Sequence, residues 1–326
     1  MSRNSRCKDD PAMNQQRIVI AGGSGFIGSA LAWEFASYGR EVVILTRNPR
    51  ERSAGIREIL WDAENPGEWI QFLNGAAAVI NLTGKNINCP HTPENLRAIA
   101  ASRVNSVKAI GMAISQVSTP PQVWVQASAT GFYGDTRDRL CDETAPNGND
   151  ALAKVCRDWE AACESASTPK TRRVILRIGF VLGREGGALP VLSRLTKFFL
   201  GGAAGSGAQF ISWIHQADLV RMFVTSVNDG TLAGTFNAVA PDPVTNREFM
   251  RELRRTLHRP WSPPAPEFAV KLGARLMGSE PSLALISQRC SSRKFVKAAV
   301  KADVQTGFQF QFPGLAPALR DLCKTN

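Results

Sequence analysis

Seven residues near the start, GGSGFIG at positions 22–28, limit the fold more than any other part of this 326-residue chain. They follow RIVIAG (17–22), a β-branched run that reads as a buried parallel strand. They precede SALAWEFASYG, where apolar residues recur at helical spacing until Gly39 closes the pattern. Strand, glycine turn and helix in that order suit a dinucleotide pyrophosphate. The anion must approach the backbone closely at a helix N-terminus, where unpaired N–H groups and the macrodipole favour negative charge, and glycines remove the Cβ atoms in the way. Gly22, Gly25, Phe26, Ile27 and Gly28 are therefore the expected pyrophosphate cradle.

The next strand, EVVILTR (41–47), selects the nucleotide. An NAD site wants a carboxylate at its end for the ribose 2′-OH, whereas an NADP site wants a cation for the 2′-phosphate. Here the strand ends in Thr46 and Arg47, with Arg50 and Arg52 close behind, so NADP(H) is expected, against the blander reading of a solvated arginine loop. REILWD (57–62) reads as a third strand with Asp62 at the adenine end. AAAVINLTG (76–84) reads as a fourth, ending in Leu82, Thr83 and Gly84, small residues that leave bare backbone beside a cofactor. The helix after it, Pro93 to Ser115, carries Arg103, aimed either at the phosphates or at water. A fifth strand, PQVWVQASATGFYG (121–134), runs into a turn holding Ser128, Thr130 and Tyr133.

These elements make an α/β protein: a Rossmann, doubly wound parallel sheet with a smaller C-terminal substrate lobe. Residues 1–16 read as a flexible tail, with Met13 an alternative start, and 17–180 as the NADP-binding domain, to which 211–238 returns. Residues 181–210 and 239–326 form the lobe, with glycine-rich hinges at 183–187 and 201–207 and a proline-rich crossing, RPWSPPAPEF, at 259–268. No run of eighteen apolar residues and no secretory leader is present, so neither a membrane partner nor export is expected. Seven cysteines without metal spacing or a disulfide framework fit a reducing cytoplasm and no metal.

The net charge of +11 is uneven, since Arg247 to Asn326 holds fourteen Lys or Arg against six Asp or Glu. A basic lobe suits an anionic small-molecule substrate, with Arg289, Arg293 and Lys294 as candidates, or is simply a solvated face. Nucleic acid is not an expected partner, because no zinc finger, RNP-type aromatic motif or sustained basic helix accompanies the charge.

Taken in order, GGSGFIG, TRNP, VINLTGKNI, SATGFYGD, VCRDWEAAC, LRIGFVLGREGGAL, GSGAQFISWIHQADLV, GTFNAVAPDPVTNREF and TGFQFQFPGLAPALRDL resemble the extended short-chain dehydrogenase/reductases. Within them the chain is most similar to the atypical NAD-dependent epimerase/dehydratase-like subfamily often labelled cell-division-inhibitor-like, which carries a C-terminal domain of unknown function. The resemblance covers nearly the whole chain. It implies NADP(H) binding, a small-molecule substrate and a homodimer, and it puts Val181 where the family's backbone touches the nicotinamide end.

The resemblance breaks at the catalytic pair. Hydride-transfer members use a Ser or Thr with YxxxK on the helix after the fifth strand, the Lys lowering the pKa of the Tyr that handles the carbinol proton. Aligning Glu160 with the acidic residue after that motif puts Leu152 at the Tyr position and Cys156 at the Lys position, while Lys154 falls about 200° round the helix. Ser128 occupies the family's Ser/Thr position, and Tyr133 is the remaining candidate for a displaced proton donor; these two are the expected catalytic residues. His215 and Asp218, in WIHQAD, read as structural. Two functions stay open: an NADP(H)-dependent oxidoreductase or epimerase, and a non-catalytic NADP(H)-binding regulator linked to cell division.

Overall fold

In the computed structural model of the chain, the described residues are 17–52, 55–299 and 307–324. The expected tail, with Met13, lies outside them. The strands are β1 (Ile18–Ala21), β2 (Val42–Thr46), β3 (Ile56–Leu60), β4 (Ala78–Asn81), β5 (Val123–Ala129), β6 (Arg172–Ile178), β7 (Phe180–Leu182), β8 (Phe210–Ile211), β9 (Trp213–His215), β10 (Gly234–Ala238) and β11 (Val244–Thr245). The helices are α1 (Phe26–Ser37), α2 (Pro93–Gln116), α3 (Ala151–Glu164), α4 (Leu189–Lys197), α5 (Gln216–Asn228), α6 (Asn246–Thr256), α7 (Glu267–Leu276), α8 (Ser282–Leu285), α9 (Arg293–Ala299) and α10 (Leu315–Cys323).

Seven strands form one parallel sheet in the order β10-β6-β5-β4-β1-β2-β3. Strand direction through space explains the composition: a parallel sheet is covered on both faces, so β1, β2 and β4 are continuous apolar runs rather than alternating ones. Alternate residues of β1 feed two cores. Ile18 and Ile20 pack with Leu31 and Phe35 of α1 and Phe223 of α5, whereas Val19 and Ala21 pack with Ile110 of α2 and Trp159 of α3. The chain winds outward from β1 in both directions, so the strand order reverses between β1 and β4. That switch point opens a crevice at the carboxyl ends of the strands.

The β10 strand pairs with β6 at the sheet edge, and α5 before it packs on α1. Residues 234–238 thereby join the sheet. A separate core holds the C-terminal part: Leu182, Trp213, Phe249, Leu253, Leu319 and others, where α6 packs on α10. Two short pairings, β7 with β9 and β8 with β11, connect this part to the sheet. The glycines at 183 and 186 have a reason other than hinging. A Cβ on Gly183 would lie 2.2 Å from Phe26 Cζ, and one on Gly186 2.3 Å from Phe26 Cδ2, so this loop is pressed onto the first residue of α1. The second expected hinge lies against the proline-rich crossing, with Ala204 and Ala265 bridged in parallel.

Candidate active site at the sheet switch point

The turn between β1 and α1 is built on glycine. Gly22 has φ of 74°, and a Cβ there would also meet Thr83 N at 3.0 Å. A Cβ on Gly28 would lie 2.5 Å from Gly23 Cα, so α1 can enter the turn this closely only without a side chain. Gly23 was not singled out from sequence, yet its missing side chain admits Ile44 Cγ1, 2.9 Å from a built Cβ. The α1 N-terminus begins after Gly25 with no side-chain cap, which leaves its first-turn amides free for an anion. Phe26 O accepts from Gln216 Nε2 at 3.2 Å, and Ile27 packs against the α1/α5 core.

The other wall is the end of β4. Asn81 is fully buried; its Nδ2 donates to Ser106 Oγ and Gln126 Oε1, and its Oδ1 accepts from Thr83 N at 3.0 Å. That network fixes the bend at Leu82 and Thr83. Thr83 Oγ1 faces no protein partner although it is buried. An orphaned hydroxyl beside the glycine turn is a polar group waiting for a ligand atom, and it fits a dinucleotide better than it fits a packed interior.

Arg103 is held beside the end of β4. Its guanidinium lies against Gly84, where a Cβ would sit 2.9 Å from Cζ. Nη1 donates to Lys85 O and Ile99 O, and the cation sits 5.1 Å from the Trp159 ring. These bonds tie the segment after Thr83 to α2, and burial lowers the Arg103 pKa. Asp62 is also occupied, accepting from Glu64 N and Asn65 N in its own turn.

The β2 strand closes with Thr46, whose hydroxyl shares a 3.2 Å hydrogen bond with Ser24. The arginines then divide. Arg52 Nε donates to Glu58 at 2.6 Å, while Arg47 is exposed and makes no ion pair among the described residues. A free guanidinium directly after β2 is placed for a phosphate.

At the end of β5 the structure encloses the residues expected to act as catalysts. Ser128 is buried, and its Oγ donates to Glu160 Oε1 at 2.5 Å. Glu160 is held by Arg177 in two parallel bonds, Nε at 2.9 Å and Nη2 at 2.7 Å. Arg177 Nη1 also donates to Tyr133 OH, which donates onward to Asn237 Oδ1 at 2.7 Å. The Tyr133 ring is 1% exposed, and burial pushes its hydroxyl pKa well above the ordinary tyrosine value despite the neighbouring Arg177. Asn237 N in turn donates to Glu143. The result is a closed chain of polar groups across β5, β6, β10 and α3. Sequence reasoning missed Glu160 and Arg177, though a lone arginine inside the apolar run VILRIGFVL was a signal that a buried acid must exist.

At the two positions of the missing dyad, Leu152 is half-buried and Cys156 buried, while Lys154 points to solvent. Burial pushes the Cys156 thiol up to about 12, so it is neutral and not a base at ordinary pH. Its Sγ lies 3.6 Å from where a Gly131 Cβ would be, at the foot of the turn after β5. Val181 sits on β7 with its carbonyl 2.9 Å from a Cβ built on Gly187.

A cavity of about 600 Å³ lies outside this turn, bounded by Pro90, Asp135, Lys271, Arg275 and Ile286 among others. The basic residues singled out from the sequence do not line it: Arg289 lies over Phe210 at 4.5 Å, Lys294 over Phe236 at 5.0 Å, and Arg293 is exposed on α9. No cluster of three metal-ligating side chains occurs among the described residues. His215 caps α5, its Nδ1 accepting from Ala217 N at 3.0 Å, and buried Asp218 accepts from Gln311 N and Phe312 N.

Comparison with known proteins agrees with this architecture. The family model described as the NAD dependent epimerase/dehydratase family matches residues 18–238. An epimerase family protein of Mycobacterium leprae is 34% identical over 306 residues, covering 93% of this chain and 94% of the relative. A chloroplastic SDR39U1 homolog from Arabidopsis thaliana is 33% identical over 316 residues, covering 94% and 86%. The human epimerase family protein SDR39U1 (isoform 2), solved with NADPH, superposes with a TM-score of 0.82 at 29% identity, covering 94% of this chain and 99% of that one. Glycine turn, switch-point crevice and relatives together assign the chain: it belongs to the NAD dependent epimerase/dehydratase family.

Proposed function

We propose that this protein binds NADP(H) across the switch-point crevice and acts on a small, anionic substrate held between the turn after β5 and the C-terminal lobe. The observation that carries the reading is the pairing of an uncapped α1 N-terminus with the orphaned Thr83 hydroxyl. The first-turn amides of α1 suit the pyrophosphate, Thr83 a ribose or phosphate oxygen, and Arg47 the 2′-phosphate. The human relative's complex with NADPH supports the same nucleotide here. When bound, the nucleotide supplies or accepts a hydride. The chain's own part is to hold the crevice geometry, exclude water with the Gly183–Gly187 loop, and present the substrate.

Ser128 and Tyr133, in this reading, shape the crevice floor instead of moving a proton, because both hydroxyls are committed inside the Glu160–Arg177 network. The same observation favours a second reading, an NADP(H)-binding protein without turnover. A titration separates them. Purified protein is titrated with NADPH and NADH, followed by nicotinamide fluorescence, alongside Arg47→Ala. Tight NADPH binding that the variant weakens about tenfold or more, with NADH unaffected, supports the site; losing one charged contact of about 1.5–3 kcal/mol has that size. Absence of binding by either nucleotide sinks both readings. Single-turnover oxidation of bound NADPH by a panel of anionic carbonyl compounds distinguishes enzyme from regulator.

A further inference from the structure

The α7 helix leaves both its charged and its apolar stripe exposed. Its charged stripe, Glu267, Lys271 and Arg275, lines the cavity described above, while Phe268, Leu272 and Leu276 recur every four residues on the exposed side. Leu276 is 81% exposed and Ala274 is the helix's one buried residue. A helix that turns its apolar stripe outward leaves it to be covered by something else.

The apolar surface continues beyond the helix. Residues 201–205 run beside 263–265: Gly205 N donates to Ala265 O and Ala265 N to Ala203 O. This brings the turn Phe198–Leu200 close to the segment containing Trp261. Phe198 is 71% exposed and Trp261 74%. Phe199 has φ of 63° at the residue where a helix end normally takes glycine, with Leu200 N donating back to Leu195 O. An aromatic in that conformation costs about 1 kcal/mol or more, and here the outcome is a ring held out in solvent.

The rim of this surface is basic. Arg194, Lys197 and Arg259 make no ion pair with a carboxylate among the described residues, and Arg259 lies over the Phe199 ring at 5.4 Å. Aromatic and Leu side chains set among unpaired Lys and Arg are the composition of segments that lie in the surface of an anionic bilayer. A second copy is a poorer match, since a two-fold interface through this patch would bring the same cations face to face. No helix among the described residues is long and apolar enough to cross a membrane, and a surface contact needs none. We propose that Phe198–Leu200, Trp261 and the outer stripe of α7 form a peripheral docking surface for an anionic phospholipid bilayer.

The test is vesicle co-sedimentation of the full chain at about 0.1 M salt, with phosphatidylcholine alone and with about 30% phosphatidylserine added. Three variants accompany it: Trp261→Ala with Phe268→Ala, Leu272→Asp, and Arg259→Glu with Lys197→Glu. All lie on the exposed surface, and unchanged unfolding curves and NADPH titrations verify their folding. The expected result is sedimentation with the anionic vesicles only, reduced about tenfold by each apolar and each charge variant. Failure to sediment with anionic vesicles overturns the proposal, as does binding indifferent to the apolar variants, which would be charge attraction alone. Light scattering on the free protein gives the competing outcome: a dimer that Leu272→Asp dissociates would assign the patch to a second copy and equally overturn it.

Discussion

Glu160 accepts from both Ser128 and Arg177, so the residue expected to bind a substrate oxygen is tied to a buried ion pair at 5–6% side-chain exposure. Arg177 in turn stacks 3.5 Å from the centre of the Phe132 ring and donates to Tyr133. Its charge is therefore satisfied on one side by a carboxylate and on the other by aromatic faces, and Glu160 holds it protonated. Removing one member strands the other. Glu160→Gln or Arg177→Met is expected to lower unfolding free energy by about 3–5 kcal/mol, read by urea titration. A loss under about 1 kcal/mol would mean that water reaches the pair.

Tyr133→Phe separates structure from catalysis. The hydroxyl accepts from Arg177 and donates to Asn237, both buried, so its loss should cost about 1–3 kcal/mol of stability. NADPH affinity should be unchanged. Should a substrate be found, turnover by the variant should stay within a few-fold of the parent, because a proton donor would instead lose about 10²–10⁴-fold.

The glycine turn gives the sharpest test of the cofactor site. Gly28→Ala puts a methyl 2.5 Å from Gly23 Cα, where the obstacle is backbone and cannot swing away. The turn must open, and the α1 amides move off the anion. Loss of NADPH binding by more than about tenfold is expected, whereas Gly230→Ala, with nothing near its Cβ and no left-handed backbone, should leave binding intact.

What could be read from the sequence was what local pattern specifies. The β1–turn–α1 unit, the end of β2 at Thr46 and the helix from Pro93 fall where periodicity and glycine spacing put them, whereas β4 stops at Asn81, short of the expected end at 84, and β3 covers 56–60 instead of 57–62. Long-range pairing is what pattern does not carry. Glu160 and Arg177 are seventeen residues apart on different elements, and Tyr133 and Asn237 meet across 104 residues. Gly183 and Gly186 looked like hinges because the partner that needs them small, Phe26, is more than 150 positions away. Arg52 looked available for phosphate because a strand drawn as REILWD does not reveal that Glu58 turns back onto it. The apolar stripe of α7 has the usual amphipathic spacing, and only the fold shows that it is left exposed.

His215 predicts a pH dependence of stability. Its Nδ1 accepts from Ala217 N as the cap of α5, its ring stacks on Phe312 at 3.9 Å, and burial lowers its pKa below the ordinary 6.5 in spite of Asp218 and Asp321 nearby. A folded pKa below the unfolded one means that the unfolded chain takes up a proton first as pH falls. This contribution is therefore complete above about pH 6.5 and is lost between there and the lowered folded value, with a slope of at most about 1.4 kcal/mol per pH unit. Protonation would also turn the accepting Nδ1 into a donor facing another donor. Urea titrations of the parent and of His215→Asn at several pH values between about 7.5 and 5 measure the difference. Asn can still cap the helix without titrating, so the gap between the two proteins should shift in favour of the variant as pH falls. A gap that stays constant across the range would mean that folding leaves the His215 pKa unchanged, and one that moves in favour of the parent as pH falls would mean that Asp321, 3.4 Å from Nε2, outweighs burial.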